Sequence, residues 1–175
     1  STQGYSSAAS DVYKRQGLQV LEAARMIEEG KSLDEIKAHL LARRPHMCQF
    51  FTVDDLAYLK RGGRISSATA LIGTVLSIKP ILCGDETGHI VSCGKVRGMK
   101  RAYQELVNYY DGRALDKSEM LGIAHADNEE GAQALIALLR DKGFTGECLN
   151  VVYEPVTGAH VGPGTVALFF YGKEK

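Results

Sequence analysis

Apolar residues recur about one helical turn apart at Leu18, Leu21, Ala24 and Ile27, and Gly30 ends the run, which predicts a helix over residues 18–29. Ser32-Leu-Asp-Glu35 is a capping box. It opens a second predicted helix carrying Leu33, Ile36, Leu40 and Leu41, closed near Pro45. Met47 to Val53 is a short β-prone run, and Thr52-Val-Asp-Asp55 reads as an acidic variant of the capping box that starts a helix through about Leu59. Ser66 or Ser67 is expected to cap a further helix, 67–76. Its residues Ala68, Ala70, Leu71, Ile72, Val75 and Leu76 make it apolar nearly all round. A helix of that kind is buried in a core or lines an apolar ligand channel.

Pro80 to Cys83 and His89 to Val96 flank a Gly-rich turn and predict a hairpin. An amphipathic helix follows over 97–110, with Met99, Ala102, Leu106 and Val107 inward and Arg97, Lys100 and Arg101 outward. Glu119 to Ala126 is a predicted strand. Asp127-Asn-Glu-Glu130 caps a helix that buries Ala132, Leu135, Ile136 and Leu139. Cys148 to Tyr153 and Val166 to Tyr171 are the last two predicted strands. Adjacent strands without an intervening helix rule out a pure βαβ succession. The expected class is α/β, a mixed β-sheet with packed helices.

Ser1 to Ser10 is rich in Ser, Ala and Gly and has no apolar period, so it is expected to be disordered. Asp11 to Gln16 can be encoded by DNA resembling a transposon end used in sequencing libraries. Residues 1–16 are therefore expected to be a disordered or artefactual leader, with a longer native protein ahead of Gly17. Of the 175 residues, 45% are hydrophobic, enough for a core, and the formal net charge is zero, which argues against a nucleic-acid partner. No apolar run approaches the ~20 residues of a membrane span. The four cysteines form no C-x-x-C pair. They are expected to be free and buried, in a reducing, cytoplasmic setting.

Candidate chemistry concentrates in two segments. Lys60-Arg-Gly-Gly-Arg-Ile-Ser66 combines cations, a glycine pair and a serine at an expected helix start, the ingredients of an anion grip. A surface turn with solvated arginines is an equally good reading of the same residues. Its contact candidates are Arg61, Gly62, Gly63, Arg64 and Ser66. His160-Val-Gly-Pro-Gly-Thr165 forms a tight loop in which Gly162 and Gly164 expose backbone N–H groups and His160 can meet an acidic head group, or a plain turn with a structural histidine. His125 ends a strand and reads better as a strand-end histidine than as a catalyst. No metal-ligand spacing, Walker loop, G-x-G-x-x-G or G-x-S-x-G elbow occurs, so no catalytic residue, cofactor or metal is expected.

The run Thr52 to Ser66, Ile78-Lys-Pro-Ile81, Lys95-Val-Arg-Gly-Met-Lys100 and His160 to Thr165 together resemble the DegV family of bacterial fatty-acid-binding proteins, in order and spacing. Val161 stands where the family usually has threonine. The resemblance extends from about Gly17 to Lys173. It implies a two-domain α/β protein that encloses a long-chain fatty acid between its domains. Such proteins are not enzymes themselves, and some present the acyl carboxylate to a partner fatty acid kinase. Residues 17–43 resemble the helical crossover from a first domain, and 44–175 the C-terminal domain. By the same resemblance Arg64 and His160 neighbour the fatty-acid head group, and Ala68, Leu71, Ile72, Val75 and Leu76 line the acyl tunnel. The threonine and serine that bind the carboxylate in the family lie in the first domain and have no positions here, so the chain is expected to bind weakly or not at all. A rival reading is a phosphate-handling enzyme domain using Arg61, Arg64 and the Gly-Pro-Gly loop, with His125 or His160 as base. A third is a docking module whose Arg61, Arg97, Lys100 and Arg101 make transient contact with a partner or a membrane surface, against the plainer reading of a solvated helix face.

Overall fold

The structure is a computed structural model that describes residues 5–65, 77–85 and 89–173, with side chains from Gly17 onward. The predicted helix 67–76 lies outside the described residues.

Besides a 3-10 turn at Arg44–His46, twelve described helices and strands follow one another along the chain. Helices α1 (Tyr5–Glu28) and α2 (Leu33–Arg43) come first, then strand β1 (Met47–Thr52) and the short helix α3 (Leu56–Arg61). The hairpin β2 (Ile78–Gly84) and β3 (Ile90–Arg97) precedes helix α4 (Met99–Arg113). Strand β4 (Leu121–His125), helix α5 (Glu129–Asp141), strand β5 (Cys148–Val152), helix α6 (Pro155–Val161) and strand β6 (Val166–Tyr171) complete the order. The strands form one six-stranded sheet in the order β3-β2-β1-β6-β4-β5. Among the described strands only β4 and β5 pair in parallel, and they are the pair joined by a full crossover helix, α5, as a parallel connection requires. The chain is thus α/β with a mixed sheet, as the order of apolar runs predicts.

The sheet carries a core on each face. Alternation along β1 and β6 sends Phe50, Leu168 and Phe170 to one face and Phe51, Phe169 and Tyr171 to the other. The first face packs under α4 and α5 through Leu106, Val107, Tyr110, Leu135 and Leu139. The second lies under α1, α3 and α6 through Leu18, Leu56, Leu59 and Val161. Covered on both faces, β1 and β6 are buried along their whole length.

Several local expectations need correcting. Helix α1 starts at Tyr5 rather than at Leu18, so the backbone expected to be disordered is helical from Tyr5; each added residue extends an existing helix at the cost of fixing one residue for one hydrogen bond. The apolar stripe of α1 does not face the sheet as a whole: Leu18 is buried, but Leu21, Ala24 and Ile27 are exposed. Glu22 and Met26 lie on the inner side instead, because Glu22 meets Arg43 and Tyr171 there. Helix α2 likewise buries Ile36 and leaves Leu33 and Leu41 at the surface. Thr52 belongs to β1 and caps nothing; Asp55 caps α3 by accepting from the Ala57 N–H. Asn128, not Asp127, caps α5.

Two cysteines are not free. The β2–β3 ladder slips register between Ile81 and Leu82, and Cys83 and Cys93 form a disulfide across the hairpin with their Cα atoms 6.2 Å apart. The register slip is a tertiary detail that residue spacing does not carry. Cys48 and Cys148 remain thiols. Unfolded without reductant, the chain is expected to take an alkylating group at Cys48 and Cys148 alone, and at all four cysteines after reduction, as read by intact mass. In the folded protein burial pushes the Cys148 thiol up to about 11. Only about a thousandth of it is thiolate at pH 8, so its native alkylation should be far slower than that of the unfolded chain. Equal native and unfolded rates would contradict the burial.

Candidate functional site

The Lys60–Ser66 segment owes its shape to the end of a helix, not to the start of one. Gly62 is the C-cap of α3, and Gly63 takes φ +68°, a left-handed conformation that costs glycine nothing. The Gly63 N–H donates to the Lys60 carbonyl at 3.0 Å and the Arg64 N–H to the Leu59 carbonyl at 2.9 Å. That pair of bonds is the Schellman motif. The last carbonyls of α3 and its negative dipole end therefore sit among Lys60, Arg61 and Arg64, the charge arrangement that favours cations. The anion-binding logic of a helix N-terminus does not apply to Gly62 and Gly63. Ser66 lies outside the described residues.

Around this turn the structure gathers Gly62, Arg64, His160, Gly162 and Gly164 from the residues singled out in the sequence. Arg64 is half-buried and its Nη1 donates to the Gly62 carbonyl at 2.7 Å. His160 occupies the last turn of α6, which replaces the loop expected there. Its imidazole lies directly over Gly62, so close that a Cβ at Gly62 would come within 2.6 Å of Nδ1. Arg64 and His160, 96 residues apart by their numbering, thus meet on the same glycine. Gly162 and Gly164 follow, with φ +80° and +82°. Gly162 packs against the Tyr58 ring and Gly164 against Asp54, where added Cβ atoms would fall 2.5 Å and 2.9 Å from their neighbours. The two segments are one structure: α3 and its Schellman turn on one side, α6 and the Gly-Pro-Gly loop on the other.

Arg61 points elsewhere, its guanidinium stacked 4.6 Å from the centre of the Tyr58 ring. Gly63 is exposed, and a Cβ added there would meet nothing within 4 Å. Arg97, Lys100 and Arg101 are exposed around the end of β3 and the start of α4. Ala68, Leu71, Ile72, Val75 and Leu76 lie outside the described residues. Sequence reasoning missed Tyr58, the spacer between the two segments, and the pair Lys79–Asp54, in which Nζ donates to the carboxylate at 2.6 Å and to the Asp54 carbonyl at 3.0 Å. Tyr58 stands two residues before Lys60 in the motif itself, but nothing in its spacing shows what the ring would touch.

His125 is fully committed. It is 2% exposed, its Nδ1 accepts from the Asn128 N–H at 3.1 Å, and its Nε2 lies 2.8 Å from the Glu129 carboxylate. With Nδ1 accepting, the proton belongs on Nε2, which faces the Glu129 carboxylate at ion-pair distance. The Gln133 amide, and then His125, hold the Glu129 carboxyl below its usual range. A histidine with both nitrogens engaged is a strand-end brace, and the phosphate-enzyme reading loses one of its two bases.

A second polar cluster lies at the other end of the sheet, where Met47 pairs with Tyr171 rather than Thr52 with Val166. A cleft of about 450 Å³ there is lined by Leu18, Glu22, Met26, His39, Arg43 and Glu119 among others. Arg43 bridges Glu22 and Glu119 and covers the Tyr171 ring, and Tyr171 donates to Glu22 at 2.7 Å. These groups pair with one another and hold the α1–α2 pair to the sheet. Among the described residues no group of His, Cys, Asp and Glu could hold a metal ion, and no helix is long and apolar enough to cross a membrane.

The family model described as "Uncharacterised protein, DegV family" matches residues 9–173. A DegV domain-containing protein of Clostridium perfringens is 40% identical over 161 residues, which is 91% of this chain and 55% of that protein. Among solved structures, a fatty-acid-binding DegV family protein of Thermus thermophilus superposes with a TM-score of 0.78 at 32% identity, over 89% of this chain and 56% of that one. The fatty acid kinase B3 protein of Streptococcus pneumoniae, loaded with linoleic acid, superposes with a TM-score of 0.80 over 88% of this chain and 54% of that one; at 19% identity it speaks for the fold alone. The chain spans about half the length of the relatives it matches.

Proposed function

The chain belongs to the DegV family, and from that premise we propose that it is the head-group lobe of a long-chain fatty-acid-binding protein, not an enzyme. The observation that carries the reading is the meeting of Arg64 and His160 over Gly62. A carboxylate taken out of water needs cationic or N–H donors. A guanidinium and an imidazole converging on one turn supply them, and the glycines let the two segments that carry them pack together. The acyl chain needs only apolar lining, which this reading assigns to Ala68, Leu71, Ile72, Val75 and Leu76. A partner kinase that phosphorylates the bound carboxylate fits the same geometry, because the head group would sit at a turn bordered by the exposed Lys60 and Arg61.

A homologous series of n-alkanoates titrated into the chain tests this. Each added CH₂ that is buried contributes about 0.8 kcal/mol, so affinity should climb about fourfold per carbon from octanoate upward. Arg64→Gln and His160→Gln should weaken every member of the series by a similar factor, of order tenfold, because they act on the shared head group. An affinity independent of chain length would exclude an acyl site. Equal binding of 1-alkanols and alkanoates would exclude a carboxylate grip.

A further inference from the structure

We propose that Asn128 is a positioning residue for the head-group loop, holding Gly162–Thr165 in place from the start of α5. Asn128 is the N-cap of α5, and its Oδ1 accepts from the Gly131 N–H at 3.0 Å. A cap needs no more than that oxygen. The other half of the side chain reaches across the site. Nδ2 donates to the Gly164 carbonyl at 2.8 Å and to the Tyr103 hydroxyl at 3.1 Å. The backbone N–H of Asn128 donates to His125 Nδ1, and its carbonyl accepts from the Ala132 N–H. One residue thereby joins the end of β4, helix α4, the first turn of α5 and the Gly-Pro-Gly loop.

The chemistry asks for asparagine specifically. The Gly131 N–H requires an acceptor and the Gly164 carbonyl requires a donor, and a primary amide offers both from one planar group. Aspartate would cap α5 equally well but would set a carboxylate oxygen against the Gly164 carbonyl. Serine would cap it and leave that carbonyl without its donor. The surroundings keep the amide in place: a Cβ at Gly131 would collide with both the Asn128 amide and the Tyr103 hydroxyl, so this glycine leaves room for the brace. The braced loop is completed by two backbone bonds, Gly164 N–H to the Ala126 carbonyl at 2.8 Å and Ala126 N–H to the Thr165 carbonyl at 3.0 Å. It leads directly back into Gly162 on Tyr58 and His160 on Gly62. Freed of the brace, the loop and the end of α6 lose the contact that fixes the height of His160 over the Arg64 turn.

The proposal rests on the fatty-acid reading only for its consequence in binding, and amide exchange tests the two parts separately. Asn128→Asp and Asn128→Ser both keep a cap on α5, so the Gly131 amide should retain its protection. The Gly164 and Ala126 amides should exchange at least tenfold faster than in the wild-type chain. Tyr103→Phe removes the other acceptor and should leave Gly164 protected. If Gly164 exchanges at the wild-type rate in both Asn128 variants, or if Gly131 and Gly164 lose protection together, Asn128 is only a cap and the proposal is overturned. Should Asn128→Asp fail to fold because of its charge, Asn128→Ser carries the same comparison. Titration with hexadecanoate, read at the His160 ring protons, should show at least fivefold weaker binding in Asn128→Ser. Unchanged affinity with a loosened loop would overturn the role in binding. Absence of binding in the wild-type chain would instead strike the proposal that this lobe holds the head group by itself and leave the exchange result standing.

Discussion

Gly162→Ala is expected to cost about 2–6 kcal/mol of stability, several times more than a typical surface substitution. Two effects add. Gly162 closes α6 at φ +80° and ψ +162°, a region open essentially to glycine alone, and a side chain there costs about 1–3 kcal/mol. The new methyl would also fall 2.5 Å from Tyr58 Cδ2 and 2.6 Å from Cγ, atoms in the body of a packed ring rather than at the free end of a chain. Displacing the ring separates α6 from α3 and disturbs the Arg61 stack, an overpacking penalty of about 1–3 kcal/mol. Urea unfolding gives the total. A Tyr58→Ala background removes the collision but not the backbone strain, so Gly162→Ala should cost roughly half as much there. A loss below about 1 kcal/mol in the wild-type background would mean that α3 and α6 are not packed through this glycine.

Arg43→Ala should destabilise by about 2–3 kcal/mol and act chiefly on the attachment of α1 and α2. Its guanidinium donates twice to Glu119 at 2.8 Å, lies 3.1 Å from Glu22 and sits 3.7 Å over the Tyr171 ring. Removal strips the Glu119 carboxylate, 30% exposed, of its paired donors and leaves Glu22, 20% exposed, with only the His39 ring and the Tyr171 hydroxyl. Breaking a fully buried network costs about 3–5 kcal/mol, and partial exposure lowers that figure. The cost comes from stranded charge, so adding Glu119→Ala to Arg43→Ala should recover stability rather than lose more. Hydrogen exchange should rise in α1 and α2 while the β1, β4 and β6 amides stay protected. Strictly additive losses in the double variant would show that Arg43 contributes packing over Tyr171 and little else.

The parts of this protein that were legible in its sequence share one property: the signal and the structure it reports are a few residues apart. The strand 166–171, the helix burying Ala132, Leu135 and Leu139, and the capping box at Ser32 are of this kind. The Gly-Gly pair was visible as a backbone feature, but its sense was inverted, because a Schellman turn and a phosphate-type loop call for the same residue. The inner face of α1 was misassigned because an apolar stripe shows which side tends to be buried only when no polar network competes for it. Here Glu22, held by Arg43 and Tyr171, faces inward while Leu21 and Ile27 stay in solvent. The Cys83–Cys93 pairing escaped because it depends on a register slip.

By itself the sequence determined the α/β class, most strands and helices, and the two segments that carry the candidate site, since periodicity, caps and glycine positions are local properties of the chain. Only the tertiary structure decided that Arg64 and His160 meet over Gly62, that Tyr58 spaces the segments, and that Asn128 braces the loop from α5. Those contacts join residues far apart in the chain, and their geometry is set by how β1, β4 and β6 align in one sheet, which no local pattern encodes.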